Sequence, residues 1–275
     1  MISLIRNFGL QLIDQHEEVT CLFAVSLFYG VLGLLIGSFL NVVIYRVPRG
    51  ESIITPGSHC PVCGHVLRPW ELIPVLSFLV QKGSCAKCHE PISWRYPTVE
   101  VLTGGLFFYT LWLNQGVQNA RVFWHLIFIA ILIALAFIDL DTMRLPDVLV
   151  FPLLTIGLIG AFFLPGTPGW LGSLLSAIVS GGAFWLLTKI YPQGMGFGDV
   201  KFVAALGAFL GFPNITLAIF IASLLGSFVG VSMLLFRRTH LKQQIPFGPF
   251  LASGALVALF WGERIFEFYW SLALR

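Results

Sequence analysis

Asp139 closes the apolar run HLIFIAILIALAF and stands with Asp141 and Asp147 in IDLDTMRLPD, residues 138–147. A carboxylate at the C-terminal end of a helix meets that helix's negative pole, so Asp139 is electrostatically misplaced there. A loop-edge acid reaching water explains this only in part, and ionisable groups in membrane spans mark function by default. Asp147 follows Pro146 and precedes VLVFPLL, which makes it a natural N-cap, whereas Asp141, nearer water, fits either role. Another acid, Asp199, follows three glycines in GMGFGDVKF (194–202) and opens an apolar segment, so it reads as a helix cap or as a reactive group. No GxxxxGK[ST] occurs, and these glycines do not form a phosphate loop. They permit close backbone approach, as an extended peptide substrate requires.

Brought together from separate helices, Asp139 and Asp199 can share one proton, because like charges that close do not both ionise cheaply. One then acts as general base on a water while the other, protonated, polarises a scissile carbonyl. Other hydrolytic arrangements fit badly. HExxH and GxSxG are absent, and His125 stands a helical distance of about 20 Å before Asp139. An aspartyl intramembrane hydrolase is the best chemical reading.

A second chemistry lies in a polar insert. HCPVCGH carries Cys60 and Cys63, and SCAKCHE carries Cys85 and Cys88, with 21 residues between the two CxxC pairs. That pattern suits a tetrahedral four-thiolate zinc site, closed and structural because all four positions are protein ligands. Free thiols or a redox dithiol are the alternatives. His59, His65 and His89 flank the cysteines and are read as solvated, while Cys21 is a bystander at the outer end of the first span. WELIPVLSFLVQ (70–81) is too short to span and is interrupted by Pro74, so it lies against the membrane or folds into the insert.

The elements that must position these groups are membrane helices. Of the 275 residues, 57% are hydrophobic and 11% charged, far from a soluble domain's usual share of about a quarter charged. The apolar runs lack period-2 alternation, so they predict an all-α polytopic protein and not a barrel. About eight spans are expected, at 22–45, 99–115, 122–140, 147–164, 169–188, 199–211, 216–236 and 247–262. The organisation expected is an extracytoplasmic segment (1–21), a first span with the four-cysteine insert (22–98), and a membrane catalytic domain (99–275). Residues 1–21 lack the uninterrupted apolar core of a cleaved signal peptide. Arg46, Arg49, Arg68, Lys82, Lys87 and Arg95 put the 46–98 loop in the cytoplasm, and alternation adds Arg144, Lys189, Arg237, Arg238 and Lys242 to that side. The net charge of +3 is then topological and implies no nucleic-acid partner.

Taken together, GSFLNVVIYRVPRGES (37–52), the CxxC…CxxC insert, RYPTVEVLTG (95–104), DLDTMRLPD and GFGDVK resemble the bifunctional bacterial type IV prepilin leader peptidases. The GxGD element is shared more widely with intramembrane aspartyl proteases. The resemblance implies an inner-membrane enzyme that cuts the leader from prepilins or pseudopilins at the cytoplasmic face, after a glycine. It implies methylation of the new N-terminus with S-adenosylmethionine. It places the catalytic pair on Asp139 and Asp199, puts Lys201 in the same motif, where its charge can steady a carboxylate, and associates the cysteine region with methyl transfer. Asn41, Arg46 and Glu100, polar residues at or near span ends, are candidates for the methyl-donor site or for packing anchors. Two rival functions use the same residues: a proton-coupled transporter relaying protons through the aspartates, and an assembly subunit whose zinc loop docks a partner. A transporter predicts inverted repeats, and none is evident.

Overall fold

A computed structural model describes residues 2–191, 195–235 and 245–273, with side chains from 19 to 272 within that range. Gly194 of the glycine-rich motif and the basic residues Arg237, Arg238 and Lys242 lie outside the described residues. The elements are α1 (Ile2–Arg46), a 3₁₀ turn (Val47–Arg49), a second 3₁₀ turn (Pro69–Leu72), α2 (Leu76–Val80), α3 (Arg95–Leu113) and α4 (Ala120–Thr142). They continue with α5 (Asp147–Phe163), α6 (Trp170–Ile190), α7 (Phe197–Leu210), α8 (Asn214–Leu235) and α9 (Gly248–Ala273). Each of the eight expected runs lies on a helix. Five helices (α1, α4, α6, α8 and α9) are long and apolar enough to cross a membrane, and α5 is a shorter apolar one. α3 opens with the polar turn RYPTVE, and α7 has only 14 residues, about 21 Å of rise against about 30 Å of hydrocarbon. The chain divides into two compact units, residues 1–43 with 52–130, and residues 44–51 with 131–275.

In the first unit α1 and α3 run antiparallel in close contact. A Cβ on Gly33 would lie 2.8 Å from Gly104 Cα, and one on Gly37 would lie 2.7 Å from Glu100 Cα. One turn further along, Asn41 Nδ2 donates to Tyr96 O at 3.1 Å. Small side chains at these crossings let the backbones meet, the usual device for packing helices in lipid. The insert between these helices contains two turns of matching geometry. Cys60 N–H donates to His65 O, and Gly64 N–H to Cys60 O; Cys85 N–H donates to Glu90 O, and His89 N–H to Cys85 O. His89 thus occupies the left-handed position (φ 60°) that Gly64 fills (φ 68°) in the first turn. His59–Val66 and Ser84–Pro91 close the two turns as matching bridges. The WELIPVLSFLVQ stretch forms the second 3₁₀ turn and α2, capped at its start by Glu71, which accepts from Arg68 N–H at 2.7 Å.

In the second unit α7 is the central element, packed against α5, α6, α8 and α9. Phe202, Val203, Ala205, Leu206 and Ala208 have no exposed surface. A helix apolar on every side belongs in an interior, which explains why so short an apolar helix is stable here. Its close neighbours again use small residues: a Cβ on Gly181 of α6 would lie 2.8 Å from Ala204 Cβ.

Candidate functional site

Asp139 is buried, 5% exposed, in the last turns of α4. Its Oδ2 accepts a hydrogen bond from the backbone N–H of Gly248, 2.8 Å away, at the first residue of α9. The first N–H groups of a helix have no partner within it, and the N-terminus carries partial positive charge. The carboxylate misplaced at the end of its own helix is therefore stabilised by the start of another. The contact leaves no room for a side chain on the donor, since a Cβ on Gly248 would lie 2.7 Å from Asp139 Oδ2.

Asp199 stands in the first turn of α7, whose N-cap is Gly196. Asp199 is therefore not the N-cap itself but the third helical residue, and its Oδ2 accepts from the N-cap's own backbone N–H, that of Gly196, at 3.2 Å. Asp139 and Asp199 lie near enough for their charges to act on each other. Each acid is held by a backbone N–H group at a helix start, that of α9 for Asp139 and that of α7 for Asp199.

The structure corrects the expected role of Asp147. The N-cap of α5 is Pro146 and makes no side-chain cap bond. Asp147 instead receives Lys201 Nζ on both carboxylate oxygens, at 2.7 and 2.8 Å. Lys201 also lies over the rings of Phe151 and Phe197, 5.6 and 5.3 Å from their centroids. The carboxylate that Lys201 steadies is accordingly Asp147. Alongside this clasp, Gly198 packs on the Leu145 side chain, so the turn holding Asp199 is seated on the segment leading out of α4. Asp141 is exposed.

The four cysteines converge. Their sulfurs all lie within 4.8 Å of one another, with Cys60–Cys88 at 3.8 Å and Cys63–Cys85 at 3.9 Å. A tetrahedral ion with Zn–S near 2.3 Å separates its sulfurs by about 3.8 Å, so the cluster has the dimensions of a four-thiolate zinc site. The backbone N–H groups of Cys88 and Lys87 point at Cys85 and lower its thiol to about 6. At Cys88 the Glu90 N–H favours the thiolate, but burial and the sulfurs of Cys63, Cys85 and Cys60 outweigh it and push that thiol up to about 12. Four thiolates this close repel unless a cation lies between them. His65 is not simply solvated, since its Nε2 contacts Glu71 Oε2 at 3.1 Å. Glu71 is held below the usual carboxylate range by the Arg68 backbone N–H first and His65 after it.

Glu100 and Asn41 form a further polar cluster in the α1–α3 pair. Glu100 is 7% exposed and accepts from Val75 N–H at 2.8 Å, where Val75 takes the unusual φ of 61°. Asn41 is 2% exposed; its Nδ2 donates to Gly37 O and Tyr96 O, while its Oδ1 is buried without a hydrogen-bond partner. Arg46 is also buried, at the end of α1. Gly248 is the site residue that sequence reasoning missed. Its only signal is IPFGPF, where a Gly-Pro pair opens an apolar run as a helix start does.

These elements define a multi-pass helical membrane protein with a four-cysteine insert and two acids, one at the end of α4 and one at the start of α7. Residues 31–114 match the family described as the bacterial peptidase A24 N-terminal domain, and residues 126–231 match the type IV leader peptidase family. Proteins named prepilin leader peptidase/N-methyltransferase are similar over most of their length. The Pseudomonas aeruginosa protein is 38% identical over 272 residues, covering 88% of this chain and 92% of its own. That of Neisseria gonorrhoeae is 40% identical over 268 residues (86% and 90%), and that of Aeromonas hydrophila 38% over 273 (87% and 91%). The chain belongs to the type IV leader peptidase family. No solved structure matches it.

Proposed function

We propose that this protein is a membrane aspartyl endopeptidase that removes the leader of type IV prepilins or pseudopilins and N-methylates the new N-terminus. The observation carrying the reading is the acidic pair, Asp139 on Gly248 N–H and Asp199 on Gly196 N–H, close enough to interact. With one proton between them, the ionised member takes a proton from water and the protonated member donates to the scissile carbonyl oxygen. The water oxygen adds to the carbonyl carbon, and the proton then passes to the leaving amine. The backbone donors fix both carboxylates without adding a competing charge, which keeps the shared proton available. The relatives' names support the substrate class and do not favour a transporter or an assembly subunit.

The basic loops support a cytoplasmic-facing site in the bacterial inner membrane, with residues 99–275 as the peptidase part and 22–98 associated with methyl transfer. Zinc fits the four sulfurs and would be structural, tying the two turns of the insert together. S-adenosylmethionine, when bound, supplies an electrophilic methyl group. The unpartnered Asn41 Oδ1 and the Glu100 carboxylate are acceptors suited to its cationic end, and we assign them to face it. Lys201 and Asp147 position the turn that carries Asp199.

The deciding experiment is cleavage of a prepilin-like peptide by the detergent-solubilised protein. Asp139→Asn and Asp199→Asn should each lose about 10²–10⁴-fold in rate, the range for a general acid or base. Cleavage retained in both variants would sink the mechanism.

A further inference from the structure

The insert carries an apolar surface that neither its own core nor the cysteine cluster uses. In α2, Phe78 turns inward, 8% exposed, and stacks edge-on with Trp94 at 4.9 Å. Leu76, Leu79 and Val80 occupy the other side, 60%, 60% and 81% exposed. Trp70, in the preceding 3₁₀ turn, and Ile73, just after it, are also exposed, by 60% and 45%. Within α2, positions 76, 79 and 80 are three and four residues apart and so share one side of the helix. Basic side chains flank it: Arg68, over the Trp70 ring at 5.4 Å, and the exposed Lys82. A water-facing loop clipped by four cysteines has no use for so many large apolar side chains in eleven residues.

We infer that this face is a membrane-interface anchor, which lays the insert on the lipid headgroup region instead of leaving it free in water. The occupant follows from three observations. The insert is joined at both ends to helices of a membrane protein, α1 and α3, so a bilayer surface is always within reach. The face combines Trp and branched aliphatic residues with flanking Arg and Lys, the composition that partitions into an anionic interface. At five residues, α2 is far too short to span, and its inward side is already occupied by Phe78. The anchor would hold the insert at the depth where a membrane-embedded substrate presents its cut end. That consequence rests on the proposed peptidase and methyltransferase reading, whereas the anchoring itself does not.

The test uses nitroxide labels on the full chain in vesicles of phosphatidylethanolamine and phosphatidylglycerol. Labels go at Leu76→Cys, Leu79→Cys and Val80→Cys in a Cys21→Ser background, with Glu90→Cys as the exposed control. Retained zinc shows that the insert is folded. Collision with lipid-soluble oxygen relative to water-soluble nickel chelate should be several-fold higher at the three face positions than at Glu90→Cys. Equal ratios at all four positions in the substrate-free protein would overturn the anchor. So would protection that arises only when a prepilin-like peptide is added, because the face would then belong to the substrate. Cleavage and methylation assays on the same samples read the enzymatic proposal separately.

Discussion

Replacing Gly248 with alanine adds one methyl group at the point where α9 meets Asp139. That carbon would lie 2.7 Å from Asp139 Oδ2 and 3.1 Å from both its Cβ and its Cγ. Ordinary contacts between such atoms need about 3.5 Å or more, so the carboxylate must retreat by roughly 0.5–1 Å or α9 must shift by as much. Either movement stretches the 2.8 Å bond that holds the carboxylate. Misplacement of this size lowers catalysis by about 10²-fold, equivalent to about 2.7 kcal/mol in the barrier. Overpacking adds a folding penalty of about 1–3 kcal/mol, while helix propensity works the other way, since alanine favours helix more than glycine. The assay is steady-state cleavage of a prepilin-like peptide in detergent. Folding of the unit that holds Gly248 is read from the thermal midpoint of the same sample, and methylation of a pre-cleaved peptide reads the other unit on the proposed division of labour. Gly248→Ala is expected to lose roughly 10²-fold in kcat with methylation largely retained. A folded variant that cleaves within twofold of the parent would refute the idea that this backbone donor fixes the acid.

The Asp147–Lys201 clasp is half-exposed (27% and 50% of the two side chains), so Asp147→Asn should lower thermal stability by under about 1 kcal/mol. It should nevertheless reduce kcat several-fold, and the charge-swapped pair Asp147→Lys with Lys201→Asp should recover most of that loss. Recovery by neither charge nor geometry would limit Lys201 to a packing role. At His89 the left-handed backbone penalises a side chain, and His89→Gly should stabilise the insert by about 1 kcal/mol, read from the midpoint of chelator-induced zinc release. Prolonged chelation should remove one zinc per chain, expose the insert to limited proteolysis and abolish methylation, while cleavage changes only a few-fold. Retained proteolytic protection in the metal-free protein would contradict the structural role.

Asp139 and Asp199 were legible because charge stands out against apolar sequence, and the four cysteines because their spacing is the geometry of the site. Gly248 was not, since a backbone N–H looks the same at every residue and what matters is which helix start reaches Asp139. Asp147 was misread for a related reason. Position after a proline suggested a cap, but its partner Lys201 lies 54 residues away, and nothing local encodes that pairing. The helices were legible as apolar runs, and five of them are long and apolar enough to cross a membrane. α7 is apolar because α5, α6, α8 and α9 surround it, and burial in protein leaves the same composition as burial in lipid. The matching cysteine turns were visible in principle, in HCPVCG and SCAKCH.

The pairing of α1 with α3 also has a topological consequence. Gly33 with Gly104, Gly37 with Glu100 and Asn41 with Tyr96 keep one register, ending where α1 finishes and α3 begins. The chain between those ends is therefore a ring already closed by the helices. Closing a loop carries an entropy term that grows only slowly with its length, so the helix pair should tolerate replacement of the whole insert by a short linker. A single residue inserted within 33–41 would instead rotate every later contact by about 100°. Changes of length in this half of the molecule should therefore be tolerated in the insert and not between residues 33 and 41, where the two helices are in register.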